Sequence, residues 1–337
     1  MKQVQIGWEQ GLVIAVNNKV LVFDSKKNDT ARSARFISHA HYDHLCNFRN
    51  CSNIAATRQT IEIVSSTKNL KENLFSQYDI GQTVRFDDVE VTIHDAGHIL
   101  GSAQFSIYTS TKTIVYTGDI NCRDMFTTKA AEEVECDVLI LETTYGHPFY
   151  IFPNLSQISL EMVDWTVKEI RRGKTPVFKV YSCGKPQEII RMFNIFTNIL
   201  VVTDQKITAT TNIYTKNHIP LSFLGSHTMD GKEALASGEA VFITSKEVPP
   251  IVRKPVIASA TGWALSGWRK EEPIAFPLSC HADFAQLMQY VETVNPKAVL
   301  TLHGFSEEFA RQVRKRLGIE ARPVPPFCQK ALQEYIE

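Results

Sequence analysis

The stretch Ser38–His44, Ser-His-Ala-His-Tyr-Asp-His, constrains the fold of this chain more than any other. Three imidazoles and one carboxylate fall within six consecutive positions, directly after the apolar pair Phe36-Ile37. If that pair ends a strand, His39 and His41 point to the same side, because side chains alternate along extended backbone. Asp43 and His44 then lie in a turn, and their side chains can face a second metal position close by. We interpret the stretch as ligand supply for two metal ions, since crowded polar groups would otherwise lack partners.

Composition describes an ordinary soluble protein and argues against a strongly basic, a secreted or a membrane-spanning one. The 337 residues are 44% hydrophobic and 21% charged, enough material for one large domain or two. Lys+Arg and Asp+Glu both number 36, so no global basic field attracts nucleic acid and any contact must come from a local groove. Neither a signal peptide nor an apolar run near the roughly 18 residues of a membrane span is present. Seven cysteines without a C-x-x-C pair indicate reduced thiols in a cytoplasmic protein.

The first half of the chain has the pattern of β structure. Short runs rich in β-branched and aromatic residues alternate with turn-forming pairs such as Asn17-Asn18 and Asp87-Asp88. A Thr-capped helix is predicted over residues 57–64. The predicted strands are Gly11–Val16, Lys19–Phe23, Ile54–Thr57, Val84–Phe86, Val89–His94, Gln104–Tyr108, Lys112–Tyr116 and Val138–Leu141.

From Ser156 the pattern changes to alternating helices and strands, which predicts a small α/β domain with a parallel sheet. The tail then returns to the earlier style, with a helix capped by Asp283, a strand over Ala298–Leu302 and a last amphipathic helix near Phe309–Leu317. We therefore predict a middle domain inserted between two halves of one larger fold. The predicted bounds are 1–150 for the N-terminal part, 151–275 for the inserted domain and 276–337 for the C-terminal part.

Five polar residues each follow an apolar strand, where active sites of layered α/β folds collect. Singly, each has a plain alternative as a turn former, a solvated carboxylate or a helix cap. Their shared position in a chain that already has the histidine stretch favours a hydrolytic dimetal site. Such a site needs neutral imidazoles, a carboxylate that can reach both ions and a proton donor for the leaving group. The five residues are His98, Asp119, Glu142, His281 and His303.

The ordered motifs identify a family. Residues 39–44 resemble the H-x-H-x-D-H signature of the metallo-β-lactamase superfamily, and Asp24, His98 and Asp119 match its remaining motifs. Glu142, His281 and His303 are similar to motifs A, B and C of the β-CASP nucleases, which process RNA or DNA. The resemblance covers nearly the whole chain. It implies an α/β fold, a metallo-β-lactamase αββα sandwich with an inserted small α/β β-CASP domain.

The resemblance also implies the roles of the site residues. It implies two Zn²⁺ ions, with Mn²⁺ as an alternative, and Asp24 as an acceptor that braces the ligand loop. The first ion would be held by His39, His41 and His98, the second by Asp43, His44 and His303, and both by the bridging Asp119. The catalytic residues would be Asp43, Glu142 and His281, the last two as the proton-donor pair.

Within the family, the chain resembles the compact exonucleases that accompany DNA ligases. Residues 142–148 with Tyr150 and Pro153, and residues 259–263 with Trp268 and Arg269, carry this resemblance. It implies a 5′→3′ exonuclease of DNA-repair type that acts on single strands, with a DNA ligase or helicase as partner, no membrane association, and a homodimer left open.

Other functions stay open at this point. The histidine at motif C, His303, is typical of the RNA-processing branch, so an RNA exonuclease or endonuclease of 5′ decay or mRNA 3′-end processing is the main alternative. A small-molecule metallohydrolase is a second alternative, although such enzymes lack the inserted domain. A catalytically dead subunit is a third, although every expected ligand position is filled.

Substrate contacts are predicted from mixed cations and aromatics, which suit single strands through stacking and phosphate contact. The loop Ser182–Lys185 ahead of a helix is a further candidate for holding a terminal phosphate on backbone N–H groups. The predicted contacts are Lys185, Ser279, Trp263 and Arg269, and the wider set adds Lys179, Tyr181, Arg191, Arg253, Lys254 and Trp268.

Overall fold

The computed structural model describes residues 4–17, 19–26, 33–46, 48, 54–86, 88–267 and 274–327. Of the predicted site residues, Arg269 lies outside these ranges, as do Trp268 and the turn residues Asn18 and Asp87. Within these ranges, no helix has both the length and the apolar character needed to cross a membrane.

The first sheet has six strands in sequential order. The three N-terminal strands form antiparallel pairs, and the remaining neighbours are parallel. Each residue of β2 is buried, which fits its unbroken apolar sequence Leu-Val-Ile-Ala-Val. The strands are β1 (Val4–Trp8), β2 (Leu12–Val16), β3 (Lys19–Phe23), β4 (Ser33–Phe36), β5 (Ile54–Thr57) and β6 (Phe75–Tyr78).

The second sheet has seven strands in the order β19-β18-β11-β10-β9-β8-β7. Strands β7 to β10 form antiparallel neighbours, whereas β10, β11, β18 and β19 are parallel. The strands are β7 (Thr83–Phe86), β8 (Val89–Asp95), β9 (Ala103–Tyr108), β10 (Thr113–Tyr116), β11 (Val138–Glu142), β18 (Ala298–Leu302) and β19 (Glu320–Pro323).

The two sheets pack face to face around one apolar core. Phe23 and Phe36 of the first sheet stack with ring centroids 4.9 Å apart, and Phe105 of the second sheet packs against both. Both sheets contribute side chains to this apolar cluster, and burial of such side chains stabilises the sandwich by roughly 1.5–3 kcal/mol each.

Helices cover the outer face of each sheet. On the first sheet lies α1 (Arg58–Lys68), capped by the Thr57 side chain as predicted. On the second lie α6 (Phe284–Val294), capped by Asp283, and α7 (Ser306–Leu317). The layers therefore run helix, sheet, sheet, helix, and the αββα sandwich expected from the resemblance is confirmed.

The third sheet is wholly parallel, in the order β14-β13-β15-β12-β16-β17. Helices cover both of its faces, so the small α/β unit predicted for the middle of the chain is confirmed. The bounds 151–275 for an inserted domain stay a proposal. The strands are β12 (Thr175–Lys179), β13 (Leu200–Thr203), β14 (Leu224–Gly225), β15 (Ala240–Thr244), β16 (Pro255–Ala260) and β17 (Ala275–Phe276), and the helices are α2 (Leu155–Arg171), α3 (Lys185–Phe196), α4 (Gln205–Lys216) and α5 (Met229–Ser237).

The third-sheet unit contacts the sandwich beside the histidine stretch. The hydroxyl of Tyr214 in α4 accepts the Leu100 N–H at 3.2 Å. Lys216 forms a 2.8 Å ion pair with Glu62 of α1. These contacts hold the unit against the loops that carry His41 and His98.

Candidate metal centre and active site

The ligand loop leaves the first sheet at the end of β4. The backbone oxygen of Ser38 accepts the Ala103 N–H at 2.8 Å, which ties the loop to β9 of the facing sheet. A single 3₁₀ turn over Tyr42–His44 then reverses the chain. The expected turn after His41 is thus present, and His44 within it faces the same crevice between the sheet edges as the two histidines before it.

A buried carboxylate organises this loop from below. Asp24 follows β3 in the left-handed backbone region (φ 50°) and accepts the Ser38 N–H and the Ser38 hydroxyl, both at 2.7 Å. It also accepts the Tyr116 hydroxyl at 2.7 Å and the His44 Nδ1–H at 3.0 Å. Because His44 Nδ1 is used in this way, its Nε2 faces the crevice.

Hydrogen bonds on the far side of the other rings decide which nitrogens carry protons. The Ser38 hydroxyl donates to Asp24, so it accepts the His39 Nδ1–H at 2.9 Å. The His41 Nε2–H donates to the Cys183 carbonyl at 3.3 Å. The His98 Nδ1–H donates to the Cys280 carbonyl at 2.8 Å. Each ring therefore directs an unprotonated nitrogen into the crevice.

These three nitrogens and one carboxylate oxygen meet at one point. His41 Nδ1 lies 3.0 Å from His39 Nε2 and 3.1 Å from His98 Nε2. Asp119 Oδ2 lies 3.4 Å from His39 Nε2 and 3.7 Å from His98 Nε2. Tetrahedral zinc with bonds of about 2.0–2.1 Å holds its ligands roughly 3.3 Å apart, so the donor set fits that ion. Lone pairs this close repel one another unless a cation lies between them.

Burial keeps the rings of this donor set neutral. It holds the pKa of His39 and of His98 well below the usual value, and neighbouring imidazoles add to the effect. Burial likewise lowers the pKa of His41 to about 4. Neutral imidazole is the form that binds a metal, so no proton competes with an ion here near neutral pH.

A second donor set shares Asp119. His44 Nε2 lies 3.4 Å from Asp119 Oδ1, and His303 supplies a third donor within 4.8 Å. Burial opposes protonation of His44, but Asp119 and Asp24 outweigh it and raise its pKa to about 10. Asp119 and Asp24 therefore favour positive charge at this position. Asp43, also predicted as a ligand and catalytic residue, is 74% exposed with Oδ2 3.8 Å from the same Nε2.

Asp119 can approach both sets because of the glycine before it. Gly118 has φ 55°, and a Cβ there would lie 2.7 Å from the Cβ of Ser38. The turn therefore requires glycine, and it brings the carboxylate between His39 and His44. Burial raises the pKa of Asp119, while the charges of neighbouring histidines lower it. The bridging role expected of Asp119 stays a prediction.

A histidine–carboxylate pair stands beside the shared carboxylate. His281 Nδ1–H donates to Glu142 Oε1 at 2.9 Å, and Nδ1 lies 4.0 Å from Asp119 Oδ2. Burial opposes both charges, yet their attraction raises the pKa of His281 and lowers that of Glu142 to about 2. The Thr144 N–H, donating to Glu142 Oε2 at 2.8 Å, adds to the lowering. The pair thus consists of a partly buried imidazole, whose protonated form is favoured, and an ionised carboxylate that orients it.

Two family models match the chain around these residues. A beta-lactamase superfamily domain matches residues 21–170. A Zn-dependent metallo-hydrolase RNA specificity domain matches residues 274–323, which include His281 and His303. The chain belongs to the β-CASP family of the metallo-β-lactamase superfamily. It is therefore a member of a family of zinc-dependent hydrolases, and its histidine–aspartate cluster is a candidate metal site.

Curated relatives of this β-CASP chain have both DNA and RNA names. A probable DNA ligase of Opitutus terrae is 32% identical over 85% of this chain but only 28% of its own length. An RNase J-like protein of Methanocaldococcus jannaschii is 29% identical over 56% of this chain and 51% of its own. The probable RNase MJ4 of the same organism is 23% identical over 85% and 84%. The chain spans about half or less of the first two.

A solved structure has the same fold. The crystal structure of a protein of unknown function from Enterococcus faecalis superposes with a TM-score of 0.68. It covers 96% of this chain and 98% of its own, at 13% sequence identity. This likeness shows the fold alone and carries no information on activity.

The predicted substrate contacts occupy different surroundings. Lys185 begins α3 at the crevice, with Nζ 5.5 Å from the centroid of the Tyr181 ring. Ser279 is fully buried and its hydroxyl accepts the His281 N–H at 3.0 Å, so it braces that histidine. Trp263 packs against Tyr145 and Tyr150 in an aromatic cluster beside His281. Substrate contact by all three stays a prediction.

Sequence reasoning missed three groups that set the ligand geometry. These are the Ser38 hydroxyl and the backbone carbonyls of Cys183 and Cys280. Ser38 directly precedes the histidines, so its position was a usable signal. The two carbonyls belong to segments more than 100 residues away from their histidines, and backbone acceptors leave no mark in a sequence.

Proposed function

We propose that this chain is a zinc-dependent nuclease that hydrolyses phosphodiester bonds of single-stranded nucleic acid. In its most specific form the proposal is a 5′→3′ exonuclease of the type that accompanies DNA ligases, with a ligase or helicase as partner. The observation that carries it is the His281–Glu142 pair beside Asp119, which joins two metal donor sets. The relative named as a probable DNA ligase supports the ligase association.

The bound ions would supply Lewis acidity that lowers the pKa of a water and offsets the charge of the phosphate. The donor set of His39, His41, His98 and Asp119 suits the first ion, and His44, His303 and Asp43 would complete the second with Asp119. Asp119 faces each donor set with one oxygen, so it would contribute a ligand atom to both.

His281 would supply the proton that the leaving oxygen needs. Its Nδ1–H is held by Glu142, so the proton available for transfer is on Nε2. Burial opposes a charge on His281, but attraction to Glu142 outweighs it and raises the pKa of the ring above its usual value, which favours the protonated form. A positioned acid of this kind typically contributes about 10²–10⁴-fold to the rate.

The test is degradation of matched DNA and RNA single strands, labelled at either end and carrying 5′-phosphate or 5′-hydroxyl. The proposal expects shortening from the 5′ end of DNA. His281→Ala should lower turnover about 10²-fold or more while zinc content stays near two per chain. His227→Ala, a histidine exposed on the third-sheet unit, is the matched control and should behave like wild type. A wild-type protein that degrades none of the strands would contradict the proposal.

RNA processing is the second candidate. The match of residues 274–323 to an RNA specificity domain and the relatives named as RNases favour it. Faster degradation of the RNA strand than of the matched DNA strand would establish this candidate, and products from internal cleavage would indicate an endonuclease.

A further inference from the structure

Two large aromatic side chains are strongly exposed at the mouth of the crevice. Tyr42 is 75% exposed and Tyr181 is 72% exposed, whereas Tyr116 and Tyr214 are fully buried. Tyr42 directly follows His41 and begins the 3₁₀ turn of the ligand loop. Because folding normally buries aromatic rings, two exposed rings beside a candidate active site point to a ligand.

One hydrogen bond brings the two tyrosines to the same site. The His41 Nε2–H donates to the Cys183 carbonyl at 3.3 Å. Tyr42 is the next residue after His41, and Tyr181 is two residues before Cys183 in the chain. The first tyrosine belongs to the sandwich and the second follows β12 of the third-sheet unit. The chain segments that carry the two tyrosines therefore form opposite walls of the crevice beside this hydrogen bond.

Each ring has a lysine over one face. Lys68 Nζ, from the last turn of α1, lies 4.4 Å from the centroid of the Tyr42 ring. Lys185 Nζ, from the first turn of α3, lies 5.5 Å from the centroid of the Tyr181 ring. Both distances fall within the range of about 6 Å for a cation–π contact. Each wall thus presents an aromatic surface with a positive charge beside it.

This combination matches the chemistry of an unpaired nucleotide. A base stacks on an aromatic ring whatever its identity, and an ammonium beside the ring can contact the adjoining phosphate. The formal net charge of the chain is zero, so a polyanion must be attracted by such local cations. In a duplex the base faces are already stacked, so the rings would favour strands that are single.

We propose that Tyr42 and Tyr181 form a stacking clamp for the unpaired bases on either side of the phosphate to be cleaved. Lys68 and Lys185 contact the neighbouring phosphates. The occupant is a single strand of DNA or RNA, read without sequence preference. The inference rests on the proposed nuclease function and identifies how that site selects its substrate.

The test measures binding rather than turnover, in the zinc-loaded His281→Ala background. Labelled single strands of 10–20 nucleotides are titrated by fluorescence anisotropy, intact or with one abasic position moved along the strand. Tyr42→Ala and Tyr181→Ala should each weaken binding of the intact strand by about fivefold or more. Tyr42→Phe and Tyr181→Phe keep the ring and should stay near the background affinity.

A double-mutant cycle separates stacking from general damage. An abasic site opposite a tyrosine should weaken binding about as much as loss of that tyrosine, and combining the two should add little. Lys68→Ala and Lys185→Ala should each reduce the slope of log K against log salt concentration by about 0.7, the value for one phosphate contact on a single strand. Zinc content, measured for every variant, should not change.

Tyr108→Ala is the matched control. Tyr108 is 38% exposed at the end of β9, and five strand residues separate it from the crevice end by roughly 16 Å. Unchanged affinity in Tyr42→Ala and Tyr181→Ala, or fully additive losses with abasic strands, would overturn the clamp. Failure of the nuclease proposal is a different outcome. In that case the wild-type protein degrades no strand, whatever the binding measurements show.

Discussion

At the scale of single residues, the proposed metal centre depends on which atom of each ring is already occupied. Asp24 Oδ2 alone accepts the Ser38 hydroxyl, the Tyr116 hydroxyl and the His44 Nδ1–H. Through Ser38 the same carboxylate sets the protonation of His39. One buried acceptor therefore orients donors of both sets, although it touches neither ion position.

Asp24→Asn tests this role. An amide cannot accept at both positions, so its N–H₂ group would oppose a donor or its single oxygen would leave one unpaired. We expect zinc affinity to fall about 10–100-fold, the usual effect of losing a partner behind a metal ligand. Competition with a chromogenic chelator measures the affinity.

Asp137→Asn is the control for the Asp24 variant. Asp137 is also a hydrogen-bonded carboxylate, accepting the Thr113 N–H at 2.9 Å and pairing with Lys297 at 2.6 Å. It precedes β11 at the end opposite to Glu142, so its loss should leave zinc affinity unchanged. Equal effects of the two substitutions would contradict the orienting role of Asp24.

At the scale of elements, loops from separate parts of the fold complete the centre. The loop before α3 supplies the Cys183 carbonyl to His41, and the loop before α6 supplies the Cys280 carbonyl to His98. Gly184, with φ 87°, lets the first loop approach closely, because a Cβ there would lie 2.5 Å from Ile99 Cγ2. Placement of the third-sheet unit thus couples to the histidine geometry.

Gly184→Ala should therefore damage both stability and metal binding. The left-handed backbone costs a non-glycine residue about 1–2 kcal/mol, and the clash with Ile99 adds to that cost. Displacement of the neighbouring Cys183 carbonyl should also weaken zinc binding. Denaturant unfolding and chelator competition measure the two effects.

Gly173→Ala separates backbone strain from the clash. Gly173 ends α2 with φ 69°, and a Cβ there meets no heavy atom within 4 Å among the described residues. It should cost about 1 kcal/mol and leave zinc affinity unchanged. If Gly184→Ala does no more than this, the loop is not coupled to the centre.

At the scale of the whole molecule, one buried carboxyl group between the third-sheet unit and the sandwich makes the free energy of unfolding depend on pH. Glu188 of α3 is buried and accepts the Phe126 N–H at 2.7 Å and the Thr127 N–H at 3.0 Å, which fastens the third-sheet unit to a sandwich loop. Burial raises its pKa from 4.5 to about 7, although the hydrogen bonds lower it. The stabilising contribution of this raised pKa is full below pH 4.5 and is lost as pH rises through about 7.

Glu188→Gln should remove that dependence. The difference in unfolding free energy between wild type and variant should shift by about 2 kcal/mol between pH 5 and pH 8, in favour of the variant at the higher pH. Urea unfolding at a series of pH values measures it, and groups common to both proteins cancel. A difference that stays constant across this range would show that Glu188 is not the titrating group.

Metal removal should also lower stability of the whole chain. The converging lone pairs repel one another without an ion, and an ion present at 1,000 times its dissociation constant stabilises the folded state by about 4 kcal/mol per site. Thermal unfolding with and without a chelator measures the loss. His39→Ala should lose most of the chelator response, because its first donor set is already broken.

The sequence by itself predicted most of the strands and helices and the candidate residues of the site. Apolar runs of strand length, the Thr57 and Asp283 caps and the switch to helix–strand alternation are local signals, and local sequence sets secondary structure. The histidines and carboxylates at strand ends could also be predicted, because these residue types are common metal ligands and proton donors or acceptors.

Tertiary structure alone decided how these residues act together. Asp24 lies 20 residues before His44, and the Cys183 carbonyl lies 142 residues after His41, so no local pattern predicts either hydrogen bond. The segments that carry Tyr42 and Tyr181 likewise come together only when the third-sheet unit packs against the sandwich. Ring protonation, burial and the pKa values that follow are properties of surroundings, and surroundings exist only once the chain has folded.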